Sequence, residues 1–422
     1  MRNHILRIWT CLACILFLAP LGQAALRPGD RVAICGDSIT EQKIYSADIE
    51  EYLLMCKPQP KLKVMQFGWG GETSWGFLAR MDNDVLPFKP TVATIFYGMN
   101  DGGYAMLSDE RARHFQEATT QIVQNFKKTG VRFIVLGSPG AVDTETFHSA
   151  VSPAVYNKTL GQLAEMAQAI AKKEHVTFVD VHAEMMRVMK AAKAKYGQDY
   201  QFAGPDGVHP RPNGHLVMAY CFLKALGCNG DIGTIRFDAA DGKANATDGH
   251  EILAATKNSI QVESSKYPFC FFGNPTSPEA TSGIIQFFPF NADLNRFMLV
   301  VSHAPAQRMK VTFGGHSKDF SRAELEKGIN LAAEFLDNPF CPAFKKVEEA
   351  VAAQQDFETP AVKQLIHNAP QYRDLLPSEQ QMFNHMVTAT MHRDEQLRAA
   401  AEDAVKPVVY TIEIQPVADK SR

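Results

Sequence analysis

Positive charge is not in excess in this chain. Its 43 Lys and Arg stand against 46 Asp and Glu, a formal charge of -3. No local basic cluster offsets the deficit, so no phosphate-neutralising surface is available and a nucleic-acid partner is excluded. Cysteines are few and scattered. Cys11 and Cys14 fall in the apolar segment at the start, and the other six, Cys35, Cys56, Cys221, Cys228, Cys270 and Cys341, show no CxxC metal spacing. Beyond the first residues no run is long and apolar enough to span a bilayer. No internal repeat or low-complexity tract is present, which sets solenoid architectures aside. What remains is ordinary globular composition, 45% hydrophobic and 21% charged over 422 residues, enough chain for two or three domains.

The N-terminus reads as an export signal. Arg2 and Arg7 precede the apolar run Ile8–Ala19, Pro20 breaks it, and Gly22-Gln23-Ala24 offers small residues for cleavage. Residues 1–24 are therefore expected to be removed, leaving a secreted or periplasmic protein. Export would permit disulfides, Cys221 with Cys228 or Cys270 with Cys341, but core thiols fit equally well.

From Arg31 to Gly227 short apolar runs alternate with helical stretches. Strands are expected at Arg31–Cys35, Leu62–Phe67, Val92–Tyr97, Arg132–Gly137 and Thr177–Val181. Helices are expected at Ser46–Cys56, Asp109–Thr129, Tyr156–Glu174, Ala183–Tyr196 and Asn213–Leu226, with Ser108 and Ser152 as caps. Such alternation predicts a parallel sheet with helices on both faces. Past Gly227 the composition shifts. Gly230–Gly249 reads as a turn-rich linker, and Ser259–Glu263, Phe269–Phe272, Ile284–Phe288, Arg296–Ser302 and Met309–Phe313 read as strands of a small antiparallel sandwich. Helices follow near Ala343–Gln355, Pro360–His367 and Pro377–Val405, and Val408–Ile414 alternates as a last strand. The expected division is a hydrolase-like domain over 25–228, a β-sandwich-like domain over 229–320, a helical insertion over 321–407, and a returning strand and tail over 408–422.

The chemistry lies in the first half. Ser38 ends the run Val32-Ala33-Ile34-Cys35-Gly36-Asp37-Ser38, so a hydroxyl sits at the carboxyl end of a strand, where open parallel sheets bind ligands. A serine needs a base, and Asp206-Gly207-Val208-His209 places an imidazole and a carboxylate on one loop stiffened by Pro210 and Pro212. Charge developing on a carbonyl oxygen needs donors already in place. The Ser38 and Gly71 backbone N–H groups and the Asn100 amide can supply them. The short motifs are weak singly and strong together in this order. No glycines flank Ser38 as a GxSxG elbow requires.

The set Gly36-Asp37-Ser38-Ile39-Thr40, Gly68-Trp69-Gly70-Gly71-Glu72-Thr73, Gly98-Met99-Asn100-Asp101 and Asp206-Gly207-Val208-His209-Pro210 resembles the SGNH hydrolase superfamily, also called the GDSL esterase/lipase family. The resemblance covers Arg31–Gly227. It implies a flavodoxin-like three-layer α/β/α domain, with Ser38 as nucleophile, Asp206 and His209 as its base pair, Ser38, Gly71 and Asn100 as oxyanion donors, and no metal or organic cofactor. Gln66 stands where the family often has Asn, and Ile39 where it has Leu. The first should alter loop hydrogen bonding, and the second conserves volume.

Other readings bear on the same residues. Ser38 could cap a helix, Asp37 ties down the turn rather than serving as triad acid, and Asp101 is structural. His182 and His215 read as packing residues, Trp69 and Trp75 as cleft or core, and Tyr267, Phe269, Phe271 and Phe272 as core aromatics. The expected function is an exported serine esterase acting on short acyl, chiefly acetyl, esters of a small molecule or polysaccharide. The alternatives are a lipase or lysophospholipase of the same family, or an inactive glycan-binding protein. Oligomeric state is not legible.

Overall fold

A computed structural model describes residues 26–417. The export signal expected at residues 1–24 and the extreme C-terminal tail lie outside the described residues.

Strands β1 (Arg31–Gly36), β2 (Lys63–Gln66), β3 (Val92–Phe96), β4 (Phe133–Gly137) and β5 (Thr177–Val179) pair in parallel in the order β2-β1-β3-β4-β5, the flavodoxin-like order. Both faces are covered, so each strand reads as a continuous apolar run. Val32 and Ile34 of β1 enter one core, and Ala33 and Cys35 the other. The helices are α1 (Ser38–Glu41), α2 (Tyr45–Glu51), α3 (Ser74–Asp84), α4 (Asp109–Lys128), α5 (Pro153–Glu174), α6 (Val181–Tyr196) and α7 (Pro212–Ala225). Phe77 of α3, Phe126 of α4 and Leu163 of α5 fill one face, and Ile49 of α2, Met185 of α6 and Phe222 of α7 the other. Ser108 and Ser152 cap α4 and α5 through their side chains. The helix expected over 46–56 is α2, continued by a π-helical turn at Tyr52–Cys56. Helix α3 was not expected; Thr73 caps it by accepting the Gly76 N–H.

The second half holds β6 (Asp231–Asp238), β7 (Lys243–Ala246), β8 (His250–Ala255), β9 (Ser259–Ser264), β10 (Arg296–Ser302), β11 (Arg308–Phe313), β12 (His316–Ser321), β13 (Ile329–Asn330) and β14 (Val408–Pro416). They form sheets of order β13-β10-β6-β7 and β12-β11-β14-β9-β8. The linker expected over Gly230–Gly249 is instead strands β6 and β7. Ile232, Ile235 and Phe237 are buried there, and the polar residues between them disguise the pattern. The sheets are not purely antiparallel, because β10 returns alongside β6 in the same direction. Ile284–Phe287 is a 3₁₀ turn, not a strand. Phe269–Phe272 is irregular, and the Asn295 carboxamide satisfies the backbone of Phe269 at 2.7 and 3.0 Å. Strand β14 pairs with both β11 and β9. Before it come the helix Cys341–Pro360, a π-helical turn Ala361–Ile366, and the helices Ala369–Leu375 and Gln380–Ala404.

The helix Cys341–Pro360 covers the open edge of β2. Gln354 Nε2 donates to Val64 O at 3.3 Å, and Glu358 Oε2 accepts the Gln66 N–H at 2.9 Å, satisfying strand groups that no neighbouring strand can reach. All six cysteines among the described residues are free thiols.

Candidate active site

Strand β1 runs straight into the nucleophile loop. A Cβ on Gly36 would lie 2.0 Å from Thr40 Oγ1 and 2.9 Å from Phe96 O, so only glycine lets the chain turn here. Asp37, not Ser38, caps α1: its Oδ1 accepts the Ile39 N–H at 3.0 Å. Asp37 is buried, and burial pushes its carboxyl up to about 7. Ser38 is left half-buried, and its hydroxyl takes no part in the cap.

The base loop arrives from the far end of the domain. His209 Nε2 lies 2.8 Å from Ser38 Oγ, and His209 Nδ1 lies 2.6 Å from Asp206 Oδ2. The Val208 and His209 backbone N–H groups donate to Asp206 Oδ1 at 2.9 and 3.0 Å. Burial alone would raise the Asp206 carboxyl. The two backbone donors and the imidazole outweigh it and hold the group below the usual range, so it stays ionised beside the ring. Two glycines allow this loop: with φ near +80° and +75°, Gly204 and Gly207 would place a Cβ 1.9 Å from His209 O and 2.3 Å from Phe147 backbone atoms.

Gly71 and Asn100 reach the same edge. Trp69 N–H donates to Gly36 O at 3.1 Å, tying the glycine loop after β2 to the end of β1. Gly71 is exposed at φ +73° with nothing near its Cβ position, so the backbone angle, not crowding, calls for glycine. Asn100 Nδ2 donates to Glu72 O at 2.9 Å. Asp101 takes both the N–H and the O–H of Ser74, a structural use of the carboxylate. The sequence-read groups therefore converge: Ser38, Asp206 and His209 make one hydrogen-bonded chain, and the loops bearing Gly71 and Asn100 join beside it.

Sequence reasoning missed the supports behind these loops. Glu72 and Arg80 form a buried bidentate pair at 2.6 and 2.7 Å beneath the glycine loop, and the Glu72 carboxylate also accepts the Tyr97 hydroxyl. The Asp143 carboxylate accepts from the backbone of Glu145, Thr146, Phe202 and Ala203 and pairs with buried Lys193 at 2.9 Å, bracing the chain just before Asp206. No spacing rule links Asp143 to Lys193, fifty residues on, and Glu72 and Arg80, eight apart, fit no short-range helix or turn pairing.

Most of the remaining candidates fall into place as packing, while Trp75 lies at the surface and Phe272, expected in the core, is half-buried at its edge. His215 is buried, with Nε2 3.1 Å from Gln42 Oε1, and burial lowers it to about 3. His182 Nδ1 lies 2.8 Å from Gly140 O. Trp69 has Arg80, Lys363 and His367 packed against its ring at 4.9, 4.7 and 4.8 Å, which leaves little ring face for a ligand. Trp75 is 52% exposed and stacks with His114. Tyr267, Phe269 and Phe271 are core. The Gln66 amide accepts from Gly68 N–H and donates to Thr359 Oγ1, so it links the glycine loop to the C-terminal helices. Among the described residues no helix is long and apolar enough to cross a membrane, and no group of His, Cys, Asp and Glu is placed to hold a metal ion.

A parallel 2-1-3-4-5 sheet with Ser, His, Asp, Gly and Asn gathered at its carboxyl edge is the arrangement of an SGNH-type hydrolase domain. Residues 34–217 match the GDSL-like lipase/acylhydrolase family, which supports an SGNH-type carboxylic ester hydrolase domain in this half of the chain. It is similar to an acetylxylan esterase of Geobacillus stearothermophilus, 26% identical over 220 residues that make up 49% of this chain and 94% of the relative. Its fold is similar to that of a gut microbial diltiazem-metabolizing enzyme across 94% of this chain and all of the other, with TM-score 0.72 and 22% identity. A solved Geobacillus stearothermophilus acetylxylan esterase, 22% identical, aligns over 49% of this chain and 97% of its own at TM-score 0.40.

Proposed function

We propose that the chain is an exported serine esterase that removes short acyl groups, chiefly acetyl, from carbohydrate. One observation carries the reading: the imidazole of His209 bridges Ser38 Oγ at 2.8 Å and an ionised Asp206 at 2.6 Å. His209 takes the Ser38 proton as Oγ attacks the ester carbonyl carbon. The carbonyl π pair moves onto oxygen, where the Ser38 and Gly71 N–H groups and the Asn100 amide receive it. The tetrahedral species collapses, the C–O bond to the sugar breaks, and His209 returns its proton to the leaving alkoxide. Water, deprotonated by the same imidazole, then attacks the acyl-Ser38 ester, releasing the carboxylic acid and restoring Ser38. Asp206 holds the imidazole with Nε2 toward the hydroxyl and stabilises it when charged. No cofactor enters these steps.

The acetyl and carbohydrate parts of the reading lean on the acetylxylan esterase relative. The export part leans on the signal-like residues 1–24. The test is p-nitrophenyl acetate turnover by wild type and Ser38→Ala, followed by acetate release from acetylated polysaccharides. Turnover that disappears with Ser38, together with acetate release and preference for acetyl over octanoyl esters, is the expected result. Equal rates in the two proteins would sink the serine mechanism, and octanoyl preference would favour the lipase reading.

A further inference from the structure

The oxyanion role of Asn100 depends on which way its carboxamide faces, since only Nδ2 can donate. Two contacts settle that orientation. Nδ2 donates one hydrogen to Glu72 O at 2.9 Å, and Oδ1 accepts the Tyr104 hydroxyl at 3.2 Å. The reverse orientation would set Oδ1 against the Glu72 carbonyl oxygen and lose that bond.

Tyr104 is held in place at some cost. It sits at φ +52°, directly after Gly103 at φ +64°, in the left-handed region that side-chain-bearing residues rarely adopt. Its ring stacks on Tyr156 at 5.1 Å and on Phe147 at 6.3 Å. Phe147 is the residue whose backbone packs against Gly207 in the base loop. Tyr156 in turn donates its hydroxyl to Met99 O, next to Asn100. Burial, with the nearby carboxylates of Asp37 and Asp206, pushes the Tyr104 phenol up to about 12, so it remains a protonated donor beside the reaction centre. A strained tyrosine thus ties the loop after β3 to Phe147, whose backbone in turn packs against Gly207 of the His209 loop.

We propose that Tyr104 is a positioning residue for the oxyanion site: its hydroxyl fixes the Asn100 carboxamide with Nδ2 toward the reacting oxygen and polarises the amide so that its N–H donates more strongly. Hydrogen bonds in series reinforce one another, so withdrawing density from Oδ1 makes Nδ2–H a better donor to a developing oxyanion. The effect belongs to the transition state, because the ground-state ester oxygen carries little charge.

The inference rests on the roles given above to Ser38 and Asn100, and its test separates the two. With p-nitrophenyl acetate, Tyr104→Phe keeps both ring stacks and loses only the hydroxyl. Its kcat is expected to fall about 5- to 10-fold, the worth of one neutral hydrogen bond, with KM unchanged. In an Asn100→Ala background the same substitution is expected to add nothing, since the group it acts through is gone. Tyr104→Gly suits the backbone at φ +52° and also lacks the hydroxyl, so its kcat should fall at least as far even where the Phe variant melts early. A Tyr104→Phe enzyme with wild-type kcat, a Tyr104→Gly enzyme that keeps its rate, or a loss repeated in full without Asn100 would overturn the proposal while leaving the serine mechanism intact. Wild-type turnover no greater than that of Ser38→Ala would bring down both.

Discussion

Lys193→Met removes one half of the buried ion pair that braces the His209 loop. The Lys193 and Asp143 side chains are 4% and 0% exposed, so solvent screens their interaction little. Lys193 Nζ also donates to Gln198 O and Tyr200 O at 2.6 and 2.9 Å. Deleting one partner of a buried pair costs about 3–5 kcal/mol because the other charge is stranded. Here Asp143 keeps four backbone donors, which places the loss near the low end, about 3 kcal/mol. At roughly 2–4 °C per kcal/mol, the melting temperature should drop about 6–12 °C. The loss should reach catalysis too. Asp143 N–H donates to Gly207 O at 2.8 Å, and Thr146 donates to Gly204 O at 2.8 Å, so this turn fixes the two glycines that deliver Asp206 and His209. Thermal melts followed by circular dichroism, with kcat measured at 25 °C, read both effects. Asp143→Asn alone loses the pair and also turns an NH2 toward one set of its backbone donors, but in the Lys193→Met background the pair is already gone, so its added cost should be smaller than its cost in the wild type. The argument fails if Lys193→Met melts within about 2 °C of wild type, a shift below 1 kcal/mol, or if adding Asp143→Asn makes matters worse by its full single-site cost.

Gly207→Ala should lower kcat about 10²-fold by moving His209 off Ser38, because a Cβ there meets Phe147 backbone at 2.3 Å; an unaltered kcat for p-nitrophenyl acetate would show that the loop absorbs the clash. Lys363→Met should be mild. Its amine pairs with Glu41 at 2.5 Å and lies over Trp69, but both charged groups are about a quarter exposed, so the loss should stay under about 1 kcal/mol in a urea titration and shrink further in ~1 M salt. A pH effect arises where the helix Cys341–Pro360 meets α2. Burial pushes Glu50 up to about 8, with Glu358 also raised and Asp394 raised to about 6. These groups hold protons in the folded state that the unfolded chain releases near pH 4.3. Folding stability from them is therefore complete below that pH and declines as pH climbs toward 8. Melts at pH 6 and 8.5 should show the higher value at pH 6, and Glu50→Gln should flatten the difference; equal slopes in the two proteins would remove Glu50 as the cause.

What could be read from sequence follows from where each signal is stored. The runs Val32–Cys35, Val92–Phe96 and Phe133–Leu136 announce buried parallel strands because both of their faces are covered. The chemistry-bearing residues stand at their ends in local motifs. In the second half the signal is tertiary. Strand β7, Lys243-Ala244-Asn245-Ala246, has no apolar alternation of its own and exists because β6 pairs with it. Phe269–Phe272 looks like a strand by composition, yet the Asn295 side chain takes the backbone bonds a neighbouring strand would have made. Glu72 with Arg80, Asp143 with Lys193, and Tyr104 with Asn100 are pairings that only the folded chain assembles, so the candidate site residues were legible and their supports were not.

Those supports place the cost of preorganisation outside the reacting groups. Ser38, Gly71, Asn100 and His209 sit on four separate loops, and an oxyanion site is useful only if its donors need not move during reaction. Each loop is braced by something different. Asp37 caps α1 behind Ser38, the Glu72–Arg80 pair lies under Gly71, Tyr104 holds Asn100, and the Asp143–Lys193 pair stands behind His209. The glycine loop has a second brace from the C-terminal helices, which also reach α1 through Lys363 and Glu41. Glu358 and Thr359 hold Gln66, and Lys363 and His367 pack on Trp69. Strand β2 is an edge strand with no neighbour beyond it, so its following loop is the one whose position the parallel sheet leaves least determined. The helical segment supplies the missing neighbour. It closes the sheet edge and steadies the glycine loop through the same contacts, so in the proposed mechanism it helps to hold the Gly71 donor in place.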